Sequence, residues 1–168
     1  MPVHLLQIDE QSLGKPQPFA GASGLGAWQL LSRCESEDAE SCVLLHKIRD
    51  MARRNKADAR AVLAALDKFI KVAATGQPIE NFYDKKQSHP LHEFPYKGQT
   101  RVVWRLRKAD IRIAFYYAQG KVIFLADALA KREDKLTERE KNQLEREVKI
   151  YIDAEESQQL VILTQQGE

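Results

Sequence analysis

The sequence predicts an α+β protein in which an antiparallel β-sheet meander packs against an N-terminal helical hairpin and is followed by a C-terminal helix. Three observations lead to this fold class. Apolar residues recur at helical spacing between residues 38 and 73, they alternate at strand spacing after Pro90, and a helix-capping pattern occurs at Thr137. The length of 168 residues predicts one compact domain.

Residues 1–35 are expected to form an irregular N-terminal arm. Three glycines and two prolines lie between Pro16 and Gly26 and interrupt regular structure, although the apolar stretch from Val3 to Ile8 allows a short strand.

The main domain is expected to span residues 36–152, followed by a polar C-terminal tail, 153–168. The tail contains one apolar run, Leu160 to Leu163, which either adds a strand or binds a partner.

Two amphipathic helices are predicted to form the hairpin. In the first, Cys42, Leu45, Ile48 and Met51 recur every three residues, as one face of a helix requires. The second begins at an Asn55 cap and ends before Gly76 and Pro78.

The meander is predicted from four runs rich in β-branched and aromatic residues: 91–94, 101–107, 111–117 and 121–127. The run Val122 to Ala126 is apolar on both sides, which indicates a central strand. The capping box of Thr137 and Glu140 then begins the final helix.

The charge distribution points to a polyanionic partner. The net charge is +2, yet residues 85–112 carry eight Lys or Arg, including Lys97 and Lys108, against two acidic residues, a local charge of +6. Strand alternation places Arg101, Arg105 and Arg107 on one face, opposite Trp104 and Leu106. The apolar side is expected to cover the helices, which leaves a solvent-facing row of guanidinium groups, joined from the next strand by Arg112 and Tyr116.

The absence of familiar motifs narrows the chemistry. The sequence has no Walker-type glycine loop, HExxH, nucleophile elbow or CxxC pair, so no cofactor and no metal are predicted. Cys34 and Cys42 are interpreted as incidental. With no long apolar run and no secretory signal, the sequence predicts a cytoplasmic protein that does not cross a membrane.

A basic, aromatic-bearing sheet face could act on a phosphodiester without a metal. Cleavage of RNA by its own 2′-hydroxyl needs a proton acceptor, a proton donor and fixed cations around the phosphorus. Arginines on rigid strands suit the last role. The candidates for proton transfer are His92, Tyr116 and the pair Lys131 and Arg132.

Residues 91 to 152 resemble the RelE/ParE superfamily of bacterial toxins, in its HigB-like, phage Gp49-related branch. The resemblance lies in the Val103 to Arg107 segment, in Arg112 before an apolar and aromatic run, and in the strand Val122 to Leu125 followed by Lys131 and Arg132. The helical hairpin before the sheet and the helix after it occur in the same order.

The resemblance implies a toxin of a type II toxin-antitoxin system, neutralised by a cognate antitoxin protein, that cleaves mRNA at the ribosome without a metal. Arg107 and Arg112 would bind the scissile phosphate, and Arg101, Arg105, Lys97, Lys108 and Arg132 would bind RNA.

Three departures from the family pattern keep other functions open. Arg105 replaces an acidic residue, Asp127 stands where a His is often found, and Leu129 replaces a Phe. The alternatives are a ParE-like inhibitor that blocks DNA gyrase by contact, and a degenerate relative whose basic face only binds nucleic acid or an acidic partner protein.

Overall fold

Strand pairing organises the chain into one mixed sheet of seven strands, ordered β3-β4-β5-β6-β2-β1-β7. The fold is known from a computed structural model that describes residues 1–14, 26–131 and 135–163. The strands are β1 (Val3–Gln7), β2 (Gln29–Cys34), β3 (Ser88–Tyr96), β4 (Gln99–Lys108), β5 (Ile111–Ala118), β6 (Val122–Ala130) and β7 (Leu160–Leu163). The helices are α1 (Val43–Arg54), α2 (Lys56–Ala74) and α3 (Glu138–Glu156).

The predicted fold class is wrong about how the chain begins. The helical hairpin is not N-terminal, because β1 and β2 precede it and pair with each other antiparallel. Both strands lie in the range expected to be an irregular arm. Parallel pairing of β2 with β6, and of β7 with β1, also makes the sheet mixed rather than an antiparallel meander alone.

Two apolar cores form, one on each face of the sheet. On the first face α1 and α2 cover Leu106, Ile113 and Phe115, and Phe69 of α2 meets the Phe115 ring at a centroid distance of 5.2 Å. On the second face α3 contributes Leu144, Val148, Tyr151 and Ile152 over Val103, Ala114 and Phe124. The sheet is therefore covered by helices on both sides.

Local capping explains where the helices begin. The side chain of Asn55 accepts hydrogen bonds from the backbone N–H groups of Ala57 and Asp58, at 2.9 and 3.2 Å, so α2 starts directly after α1 ends. Thr137 and Glu140 form a reciprocal capping box that starts α3.

Among the described residues, no helix has both the length and the apolar character needed to cross a membrane.

Replacing Asn55 by Ala removes the cap that separates α1 from α2. We expect a loss of about 1 kcal/mol in the free energy of unfolding, because two backbone N–H groups lose their acceptor. Denaturant unfolding of Asn55→Ala measures the loss. The matched control is Asn142→Ala at an exposed position inside α3, where the same change should cost nothing. Equal stability of the two variants would contradict the capping role.

Candidate nucleic-acid interface

The predicted arginine row lies on the face of the sheet that α3 covers. Arg105 and Arg112 are only 2% and 1% exposed, the largest of the fully buried side chains among the described residues. Alternation along β4 places Arg105 on the side of Val103, which belongs to the core beneath α3. The expected solvent-facing row of guanidinium groups is therefore not present.

Arg105 of β4 forms hydrogen bonds with the segment just before β3 and with the start of β3. Its Nη1 donates to the carbonyl oxygen of Lys86 at 2.7 Å, and its Nη2 lies 2.6 Å from Nε2 of His89. Because a guanidinium can only donate, Nε2 of His89 must accept. The other ring nitrogen, Nδ1, lies 2.6 Å from the Pro90 carbonyl oxygen, to which it donates.

Arg112 braces the turn between β4 and β5. Its Nη1 donates to the carbonyl oxygens of Ala109 at 3.2 Å and Ile111 at 3.0 Å. Ala109 has a φ of 51°, a left-handed conformation that disfavours residues with a Cβ. Arg112 thus stabilises a strained two-residue turn, and its contacts are those of a structural residue.

Arg101, Tyr116 and His92 are also committed to contacts within the protein. Nη1 of Arg101 donates to the Tyr116 hydroxyl oxygen at 3.1 Å, and its Nε donates to the Tyr96 carbonyl at 3.1 Å. Nε2 of His92 lies 2.7 Å from Oε2 of Glu145 on α3.

His92, predicted for proton transfer, lies far from Arg107, predicted to bind the phosphate. His92 pairs with Val103 across the β3–β4 ladder, four residues along β4 from Arg107. At about 3.3 Å per residue this separates them by roughly 13 Å. Lys97 is farther still, in the turn at the other end of β4, where its Nζ pairs with Asp153 at 2.9 Å and Glu156 at 2.7 Å.

Five cations lie at one end of the sheet, which we name the basic end. Four of them are exposed, Lys85, Lys86, Arg107 and Lys108, and the fifth, Lys131, is half-buried. The β4–β5 turn, the start of β3 and the end of β6 meet there, since Arg107 N donates to the Gln87 carbonyl at 2.7 Å and Lys131 N to that of Asp110 at 2.7 Å. Arg132, predicted to bind RNA, lies outside the described residues.

The cations of the basic end differ in whether a carboxylate pairs with them. Lys131 Nζ pairs with Oε1 of Glu140 at 2.9 Å. Partial burial raises the pKa of Glu140, but the Thr137 backbone N–H and the Lys131 ammonium lower it more, so its pKa lies below the ordinary value. Within the described ranges, neither Arg107 nor Lys108 has a carboxylate partner.

A groove between α1 and α3 adjoins the basic end, and no pattern in the sequence indicates it as a site. It has a volume of about 510 Å³, and Asp127 on its floor pairs with Lys47 Nζ at 2.9 Å. Burial raises the pKa of Asp127 above its ordinary value, and Lys47 opposes that shift. The sequence indicates Asp127 only as a departure from the toxin pattern. It does not reveal where α1, which carries Lys47, packs against the sheet.

Cys34 and Cys42, interpreted as incidental, lie opposite each other because their backbones form an isolated antiparallel β-bridge. Both are buried free thiols. The neighbouring Cys34 thiol, together with the Leu44 and Leu45 N–H groups at the start of α1, lowers the pKa of Cys42 to about 6, against the opposing effect of burial. The same contact raises the pKa of Cys34.

In the part of the chain that the structure describes, no three His, Cys, Asp or Glu side chains form a group that could hold a metal ion. Fold and site together define an α+β protein with a mixed seven-stranded sheet and a cationic end. Comparison with protein-family models, with curated proteins and with solved structures found no match for this chain.

Replacing Arg112 by Ala should destabilise the protein by about 2 kcal/mol or more, because two carbonyl groups lose a donor and a cavity remains. The exposed Arg107, directly across the β4–β5 ladder, is the matched control, and Arg107→Ala should change stability by less than about 0.5 kcal/mol. Chemical denaturation of both variants provides the measurement. A stable Arg112→Ala protein would contradict the structural role.

The thiol pair predicts an ionisation near neutrality. We expect thiolate absorbance at 240 nm to rise by one thiol equivalent as the pH increases through about 6. Cys34→Ala should move this step to higher pH, because it removes the largest influence that lowers the pKa of Cys42. Cys42→Ala should abolish the step, and an unchanged titration in either variant would contradict the assignment.

Proposed function

We propose that this protein is an RNA-directed toxin of a type II toxin-antitoxin system that cleaves mRNA without a metal, at the ribosome and in the bacterial cytoplasm. A cognate antitoxin protein would neutralise it. The observation that carries the proposal is the basic end, where Arg107 and Lys108 are exposed and lack carboxylate partners in the described residues. The resemblance of residues 91–152 to the RelE/ParE superfamily gives this cationic surface its proposed substrate.

The buried arginines support the basic end indirectly. Arg105 ties the Lys86 and Gln87 carbonyls to β4, and Arg112 braces the turn that follows Lys108. Both are therefore proposed as positioning residues, and neither as a direct phosphate ligand. This role fits the general requirement that charges which stabilise a transition state be held rigidly before the reaction.

Proton transfer would involve Lys131, the one sequence-predicted candidate among the described residues that lies at the basic end, together with Glu140, which the sequence indicates only as a helix cap. The ammonium of Lys131 would protonate the leaving oxygen, and the ionised Glu140 would accept the 2′-hydroxyl proton. The two groups form an ion pair at 2.9 Å, so RNA would have to separate them on binding before either transfers a proton.

A second candidate is a non-catalytic binder, either a ParE-like gyrase inhibitor or a nucleic-acid-binding relative. One observation favours it. His92 and Tyr116, two of the groups considered for proton transfer, are hydrogen-bonded to Glu145 and Arg101 and lie away from Arg107.

Purified protein should cleave mRNA in the presence of ribosomes. Where the protein also cleaves free RNA without ribosomes, addition of EDTA should leave that cleavage unchanged, because no metal ion takes part. Arg107→Gln with Lys108→Gln should reduce cleavage at least about tenfold, because two charge-assisted contacts to phosphate are lost. Arg53→Gln with Arg54→Gln is the control of equal charge, on the exposed last turn of α1. Mapping of mRNA ends measures the effect.

Two results would contradict the proposal. Full cleavage by the Arg107 and Lys108 variant would remove the basic end from the mechanism. Intact RNA combined with blocked supercoiling by DNA gyrase would favour the contact inhibitor, and intact RNA combined with salt-sensitive RNA binding would favour the degenerate relative.

A further inference from the structure

A small cavity lies between α2 and β4 next to the basic end, on the side away from α3. Its volume is about 100 Å³. The polar residues that border it are Lys68 of α2, Tyr83 and Gln87 of the segment before β3, and Arg107 and Lys108 of β4. The remaining lining is apolar, with Ala64, Ala65 and Leu106. This volume suits a group of a few heavy atoms and is too small for a nucleobase with its sugar.

Three cations border this space without a carboxylate to neutralise them. Within the described residues, Lys68, Arg107 and Lys108 form no ion pair, and Lys68 Nζ contacts only the Phe82 carbonyl, at 3.4 Å, and the Tyr83 ring, at 4.3 Å. One turn further along the helix, Lys71 has Asp67 as partner at 3.1 Å. The contrast shows that the chain provides carboxylates for neighbouring lysines but none for the cavity.

Asp84, next to Tyr83, directs its carboxylate to the backbone. Its Oδ1 accepts hydrogen bonds from the N–H groups of Lys86 at 2.9 Å and Gln87 at 2.8 Å. The lining of the cavity contains three cations and no acidic residue, so the potential there is positive.

A hydroxyl group without a partner supplies an independent indication. The Tyr83 hydroxyl oxygen is buried and has no hydrogen-bond partner among the described residues. Burial raises the pKa of Tyr83, so the hydroxyl stays protonated and can donate. Gln87 uses its amide oxygen to accept from the Asp84 N–H at 3.0 Å, which leaves its NH₂ group as a donor. An unmet buried donor is costly unless something accepts from it.

We infer that this cavity is a phosphate-binding site, in which Lys68, Arg107 and Lys108 balance the charge and the Tyr83 hydroxyl and Gln87 amide donate hydrogen bonds. A phosphate group presents several acceptor oxygens and a negative charge in a volume that the cavity can hold. Its assignment to an RNA phosphate, adjacent to the one contacted at the basic end, rests on the proposed function. The phosphate chemistry itself rests only on the cavity.

Titration of the full-length protein with inorganic phosphate, followed by ¹H–¹⁵N NMR, tests the site. We expect saturable shifts of the Tyr83, Gln87 and Lys108 amides. A second titration compares one short RNA with and without a 5′-phosphate, which distinguishes a terminal phosphate from an internal one. Tighter binding of the RNA with the 5′-phosphate would assign a terminal phosphate to the site. Equal binding of the two RNAs would assign an internal phosphate. Both results support the site.

Two variants separate binding from folding. Tyr83→Phe removes only the unpartnered oxygen, so stability should be retained while phosphate affinity falls about threefold or more. Lys68→Gln should lower affinity about tenfold. The matched controls are Lys71→Gln on the same helix and Tyr96→Phe, whose hydroxyl donates to the exposed Asp153, and both should bind phosphate like the wild type.

The inference is overturned if phosphate gives no saturable shifts, or if Lys68→Gln and Lys71→Gln weaken binding equally. Its failure is distinguishable from failure of the proposed function. Phosphate binding that depends on Lys68 and Tyr83, in a protein that leaves mRNA intact, supports the cavity and contradicts the toxin. Cleavage of mRNA by a protein whose Lys68 and Tyr83 variants bind phosphate like the wild type contradicts the cavity alone.

Discussion

The burial of two guanidinium groups on the α3 face of the sheet is the constraint on which the cationic end of this molecule depends. A charged group removed from water is costly unless its donors find acceptors. Arg105 donates to the backbone carbonyls of Lys86 and Gln87, and Arg112 donates to those of Ala109 and Ile111. Each arginine thereby fixes a loop whose path apolar packing alone does not determine.

The positions of the exposed cations follow from these two anchors. The loop held by Arg105 leads into β3 and carries Lys85 and Lys86, and the turn held by Arg112 follows Arg107 and Lys108 directly. The chain therefore uses arginine for two different purposes on neighbouring strands. Buried guanidinium groups shape the backbone, and exposed ones remain available to an anion.

Several other cations pair with carboxylates. Lys47, Lys97 and Lys131 each meet an acidic partner within 3 Å, and Arg33 is bound at two points, 2.8 Å each, by the buried Glu147. Ion pairs of this kind hold α1 and α3 against the sheet. Arg107 and Lys108, at the β4–β5 turn, have no such partner in the described residues, and their exposed charge is the physical basis for an anionic ligand there.

Local chemistry was predictable from the sequence, and tertiary placement was not. The Asn55 cap, the Thr137 capping box and the central position of the strand from Val122 are confirmed, because each depends on neighbouring residues or on apolarity of both faces. Alternation also assigned Arg105 and Arg112 to one face. It could not reveal that α3 covers that face, since the pattern of a strand does not state where a later helix docks.

The same limit applies near the ends of the chain. β2 pairs in parallel with β6 and could not be identified without this distant partner. For the run Leu160 to Leu163 the sequence allowed a strand or a partner-binding segment, and its parallel pairing with β1 shows that it is the strand β7. Cys34 and Cys42 face each other because β2 ends where α1 begins. The groove at Asp127 and the cavity at Lys68 likewise join residues from separate elements, and no spacing in the sequence marks them.

The most direct test is the NMR spectrum of the arginine side chains during titration with RNA. We expect the Arg107 guanidinium resonance to shift on binding, whereas those of Arg105 and Arg112 stay in place because both groups are buried. Shifts of Arg105 and Arg112 with Arg107 unmoved would contradict the role of the basic end, since the ligand would then occupy the α3 face of the sheet.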